Sequence, residues 1–239
     1  MRLRSIPLFR VFGIALEVHP TFFLLPLLLA ATSFPDDGWR GVVESWWALF
    51  LVYTCVILHE FGHALVARRL GIPVPLILIL PIGGLALLGR MPRSPRAELL
   101  ITAAGPLVNF VIAAACLLLL GHWPRGLDYA DPATLDWRNL LAFLFYANLL
   151  LGLFNLLPAF PMDGGRLLRA TLACHYDYLR ATWLAMMIGR VVASLGILYA
   201  LYAHHYPLAI LFAFILFLGN LEYTQLRRES LPPILNDLD

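Results

Sequence analysis

The chain has 239 residues and is 61% hydrophobic but only 13% charged, against about 45–50% and about 25% in a typical soluble domain. This excludes a sizeable soluble domain and predicts one α-helical polytopic membrane domain over residues 1–239. The net charge of +2 gives no sign of a nucleic-acid partner, and all 17 basic residues are Arg.

A membrane-crossing helix needs about 20 mostly apolar residues. Six stretches qualify: 14–33, 43–67, 97–120, 139–157, 184–203 and 207–223. Arg2, Arg4 and Arg10 ahead of the first imitate a secretory signal. Glu17 and His19 within it, and the apolar segments that follow, instead predict a retained helix in which His19 makes a packing hydrogen bond.

Arginine placement orients the spans. Arg68, Arg69, Arg90, Arg93 and Arg96 lie between the second and third, Arg166, Arg169 and Arg180 follow the fourth, and Arg227 and Arg228 follow the sixth. The opposite loops hold Arg40, Arg125 and Arg138 beside Asp36, Asp37, Asp128, Asp131 and Asp136. Both termini are therefore expected in the cytoplasm, with the lipid bilayer of a prokaryotic cell membrane as surroundings. Arg190, in the fifth stretch, is expected to snorkel to the interface. His204 and His205 are expected to be solvated.

In the second stretch stands His59-Glu60-Phe61-Gly62-His63. Histidines four apart share a helix face and can bind one zinc, with the intervening Glu placed to act on water. Hydrocarbon penalises a charged residue by roughly 2.5–3.5 kcal/mol at a helix centre, so such a group there points to function. Cys55 lies one turn before His59 and is read as a small buried hydrophobe, as are Cys116 and Cys174.

Residues 74–89 are apolar but too short to span, and Pro75, Pro81 and Gly83-Gly84 interrupt them. With arginines on both flanks, the segment must dip in and return or lie at the interface. Leu76–Leu80 and Leu85–Leu88 read as two strands about a turn. Open strand edges cannot face lipid. The hairpin is either a re-entrant plug or a sheltered edge that accepts another extended chain.

A third metal ligand is found in Asn155-Leu-Leu-Pro158-Ala-Phe-Pro161-Met-Asp163-Gly164-Gly165. The prolines should break the fourth span and the glycines let the chain turn sharply beside Asp163. The second and fourth spans both run inward. His63 is five residues before Arg68, about 7–8 Å along a helix, so His59, His63 and Asp163 can meet near the cytoplasmic side.

These motifs, with the intervening Gly105-Pro106-Leu107-Val108-Asn109, resemble the site-2 protease family of intramembrane zinc metalloproteases, in the six-span branch often joined to CBS domains. The resemblance extends from Val18-His19-Pro20 to the fifth span. It implies one zinc held by His59, His63 and Asp163, with Glu60 as general base. It also implies substrate contacts at Asn155, Gly83 and Gly84, and at Asn109 unless that residue ties helices together. The implied partner is a membrane-anchored protein with its own transmembrane segment, cut in regulated intramembrane proteolysis. No PDZ insert is expected between the spans, and only about 15 residues follow the sixth, so either a CBS domain is lacking or the sequence stops before it.

Other classes are less well matched. A different HExxH membrane peptidase would take a later Glu as ligand, and only Glu222 is available in the later spans. A transporter would need more ionisable groups along its helices, and a proteolytically dead relative would not be expected to keep Glu60.

Overall fold

The computed structural model describes residues 5–89, 94–124 and 136–230, and it divides into two compact units. The first comprises Met1–Met91 with Ala104–Gly152, the second Pro92–Ala103 with Leu153–Asp239. Arg2, Arg4, Arg90, Arg93, Arg125, Asp128 and Asp131 lie outside the described residues, as do the side chains of Glu222, Arg227 and Arg228.

The first unit opens with strands, where the sequence predicts the start of a helix. β1 (Ile6–Val11) and β2 (Ile14–Val18) form an antiparallel hairpin. Its turn is Phe12-Gly13, with φ of 51° and 77°. Two successive positive φ values belong to the tight turns that match strand twist. Ile14, Leu16 and Val18 are buried in strict alternation, the period of a strand with one covered face. His19 then caps a short 3-10 turn, Pro20–Phe23, accepting from Thr21 N. It makes this local bond rather than a helix-packing one.

α1 (Leu24–Arg69) follows, broken at Gly38, where φ is 59° and ψ is −148°. Trp46 Nε1 donates to Pro26 O at 2.9 Å, and the Ser33 and Ser45 hydroxyls are 2.7 Å apart. These pairings bring the two arms alongside each other, so α1 is a helical hairpin turning at Asp37-Gly38.

β3 (Leu76–Leu80) pairs parallel with β2 and antiparallel with β4 (Gly83–Leu87), giving a sheet of order β1-β2-β3-β4. The segment expected to be an isolated hairpin is thus half of a four-stranded sheet. Ile77, Leu78 and Ile79 are all buried, so both faces of β3 are covered, since successive side chains point to opposite faces. Tyr53 Oη donates to the turn, lying 2.9 Å from Leu80 O and 2.7 Å from Pro81 O. Among the described residues no further strand pairs with β4, which forms an edge of the sheet.

α2 (Pro95–Leu120) and α3 (Trp137–Asn155) pass from one unit into the other. In the second unit, α4 (Asp163–Leu172), α5 (Tyr178–Tyr202) and α6 (Tyr206–Ser230) follow. Among the described residues, four helical elements are long and apolar enough to cross a membrane: Pro20–Arg69, Pro95–Leu120, Trp137–Asn155 and Tyr178–Tyr202. The apolar part of α6, Tyr206–Leu221, is shorter, so six spanning helices are not established. Arg190, expected to snorkel, has a partner within the second unit. It donates to Asn220 Oδ1 on α6 through Nε at 2.8 Å and Nη2 at 2.6 Å.

The second unit also buries an ion pair. Arg169 donates to Glu98 Oε1 through Nε at 2.9 Å and Nη2 at 2.5 Å. Its guanidinium lies 5.1 Å from the ring centres of both Phe160 and Tyr178. The pair ties α4 to the start of α2. Breaking one half of a buried pair costs roughly 3–5 kcal/mol, whereas an exposed pair contributes about 0–1 kcal/mol. Glu98→Gln is therefore expected to lower the thermal unfolding temperature markedly in mild detergent. Glu44→Gln, which removes the exposed Arg40–Glu44 pair, is expected to leave it nearly unchanged.

Candidate metal centre

The second arm of α1 carries His59, Glu60 and His63. A helical spacing of four stacks the two imidazoles on one face, and their Nε2 atoms converge to 3.0 Å. Both side chains are buried. Two imidazoles on one tetrahedral zinc have nitrogens roughly 3.3 Å apart, given bonds of about 2.0–2.1 Å. The pair is therefore within a few tenths of an ångström of a zinc-binding arrangement.

Glycines make this geometry accessible. At Gly62, a Cβ would stand 2.7 Å from Ala104 O on α2, so only glycine allows the two helices to approach so closely. Gly105 faces the histidines. A Cβ there would lie 2.7 Å from His59 Nε2 and collide with His63 Nε2. The missing side chain leaves space in front of both donor atoms. Two imidazoles and this small cradle fit a zinc ion.

His59 is held from behind. Its Nδ1 lies 2.5 Å from Oδ1 of Asn109, which is itself fully buried. Asn109, expected either at the substrate or as a tie between helices, has its carboxamide directed at a histidine of α1. Asn109 Nδ2 donates onward to Asn148 Oδ1 at 2.8 Å. Asn148 was not singled out from sequence. The available signal was a carboxamide in the middle of an apolar helix, where hydrocarbon disfavours unpaired polar groups.

Glu60 points toward the sheet. Its Oε2 accepts from Ala86 N at 3.0 Å. A Cβ on Gly84 would strike the Glu60 side chain, so Gly84 gives the carboxylate its path along β4. Gly83 begins β4 opposite Leu80, with φ of 135°. That value is open to glycine and strained for other residues.

Asp163 and Asn155 belong to the second unit. Asn155 ends α3 and is half-buried. Asp163 is buried and starts α4, where the helix dipole favours a carboxylate. Gly164 and Gly165 do not form the expected sharp turn, since they lie within α4. They serve close approach instead. A Cβ on Gly164 would collide with Leu156 O and Leu157 O, and one on Gly165 would stand 2.7 Å from Phe160 N. The broken segment 156–162 folds tightly over the first turn of α4.

Comparison with known proteins follows the same outline. Residues 47–196 match the sequence profile described as Peptidase family M50. A zinc metalloprotease of Methanocaldococcus jannaschii is 38% identical over 214 residues, 89% of this chain and 59% of that protein. The Rip3 protein of Mycobacterium tuberculosis is 36% identical over 200 residues, 79% of this chain and 49% of that protein. The chain thus spans about half the length of these curated relatives. The solved structure of a site-2 protease from Methanocaldococcus jannaschii superposes with a TM-score of 0.65 at 36% identity, covering 92% of this chain and 95% of that one.

The Gly105 cradle can be tested directly. Gly105→Ala is expected to reduce zinc affinity by about tenfold or more while the chain still folds. Chelator competition on protein purified in mild detergent measures the loss.

Proposed function

The chain belongs to peptidase family M50, and from that membership we propose that it is an intramembrane zinc endopeptidase cutting a membrane-anchored protein in or near its transmembrane segment. The observation that carries the reading is the convergence of the His59 and His63 Nε2 atoms to 3.0 Å in front of Gly105. Asp163 supplies the third ligand. Its support is the motif following the fourth apolar stretch, its burial and the family likeness.

The substrate bond must first become accessible. A peptide carbonyl inside a helix is hydrogen-bonded within the helix and shielded, so the target segment unwinds. The unwound chain adds as a strand to the open edge of β4, where backbone bonds supply affinity without demanding one sequence. Gly83 and Gly84 leave that edge uncluttered. Ala86 N–H points away from β3 and is occupied by Glu60. A docking strand offers its own carbonyl to that N–H and frees the carboxylate.

Zinc, when bound by such a donor set, supplies Lewis acidity that polarises a carbonyl and makes water more acidic. Glu60 takes a proton from the attacking water and passes it to the leaving amine. Asn155, at the end of α3, steadies the substrate backbone or the developing oxyanion. The distribution of arginines supports a cytoplasmic side for both termini and for the water supply. Cleavage of this kind releases a regulator from the membrane, as in regulated intramembrane proteolysis.

Glu60→Gln keeps the shape of the side chain but removes the base. It is expected to retain zinc and to lose cleavage of a reporter with a transmembrane segment by about 10²–10⁴-fold, read from initial rates in detergent or liposomes. Turnover at the wild-type rate would sink the assignment.

A further inference from the structure

We infer that Asn148, acting through Asn109, is a positioning residue that fixes the tautomer and aim of His59. The role rests on the zinc reading of the site and deepens it.

The direction of the hydrogen-bond chain is set at its far end. Asn148 Nδ2 lies 2.9 Å from Leu144 O and 3.1 Å from Cys55 Sγ. A backbone carbonyl only accepts, so the NH2 end of Asn148 must face it. Oδ1 of Asn148 then faces Asn109 and accepts from Asn109 Nδ2 at 2.8 Å. That leaves Asn109 Oδ1, also only an acceptor, directed at His59 Nδ1 at 2.5 Å. His59 must therefore carry its proton on Nδ1. Nε2 is left with a lone pair on the side shared with His63 Nε2.

Both Asn side chains are fully buried, so water does not offer an alternative partner. Without the anchor at Leu144 O, Asn109 can turn over and present its NH2 group to His59. The imidazole would then favour the other tautomer, with a proton on Nε2 and no lone pair for a metal. The polarity of one backbone carbonyl on α3 is thus transmitted through two carboxamides to a metal ligand on α1.

The test is a double-mutant cycle on zinc affinity, measured by chelator competition in mild detergent, with the visible spectrum of the cobalt-substituted protein as a second readout. Asn109→Leu is expected to weaken zinc binding 10–100-fold and Asn148→Leu about tenfold, the range for groups that orient metal-binding histidines. Asn109→Asp cannot be turned the wrong way, since both carboxylate oxygens accept. In that background Asn148→Leu is expected to change affinity by no more than about twofold and to leave the cobalt spectrum unmoved. If Asn148→Leu does not fold, Asn148→Ser, whose hydroxyl is too short to reach Asn109, carries the same comparison.

Equal loss from the Asn148 substitution in both backgrounds would overturn the positioning role and leave a purely structural one. Wild-type affinity in Asn148→Leu would also overturn it while leaving the zinc reading intact. Absence of zinc from the wild-type protein would overturn both.

Discussion

A polar side chain withdrawn from water into an apolar helix bundle must find its partners within the protein. His59 is the group on which this constraint bears most directly. Its imidazole is buried on α1, its Nδ1 meets Asn109 on α2, and Asn109 in turn meets Asn148 on α3. Apolar packing alone tolerates rotation and sliding of such helices, since lipid is as apolar as their side chains. The hydrogen-bond chain does not. It fixes the depth and rotation of α1 relative to α2 and α3 within the first unit, and with them the position of Glu60 beside β4.

Close packing around that chain depends on missing side chains. Gly62 admits the backbone of α2, Gly105 leaves room before the two Nε2 atoms, and Gly84 lets Glu60 lie along the strand edge. In the second unit the same device brings segment 156–162 against Gly164 and Gly165 at the start of α4. There the Arg169–Glu98 pair holds α4, which begins with Asp163. Glycine thus acts as a spacer in both units, beside the positive-φ turns at Gly13 and Gly38 in the first.

Much of this was legible in the sequence. The histidine pair, the Asp163 motif and the strands at residues 76–88 each carry a local signal, through helical spacing, proline breaks or a glycine turn. Residues 14–18, expected to start the first apolar helix, form a strand instead, because Ile14, Leu16 and Val18 are as compatible with an apolar helix as with a strand when the Phe12-Gly13 turn is overlooked. Strand identity there depends on pairing with β3, more than fifty residues away, and no local pattern reports that. Asn148 was invisible for a related reason. An Asn in the middle of an apolar run shows that a partner is needed but not which helix supplies it. The Asn220 partner of Arg190 on the neighbouring helix was hidden in the same way.

The central claim is that His59, His63 and Asp163 together hold one zinc. Its most direct test is zinc per chain by elemental mass spectrometry, comparing wild-type protein with Asp163→Ala, both purified in mild detergent without chelator. The account predicts about one zinc in the wild type, as in three-ligand catalytic sites, and loss or marked weakening in the variant. Equal zinc in the two proteins would contradict it and move the third ligand elsewhere.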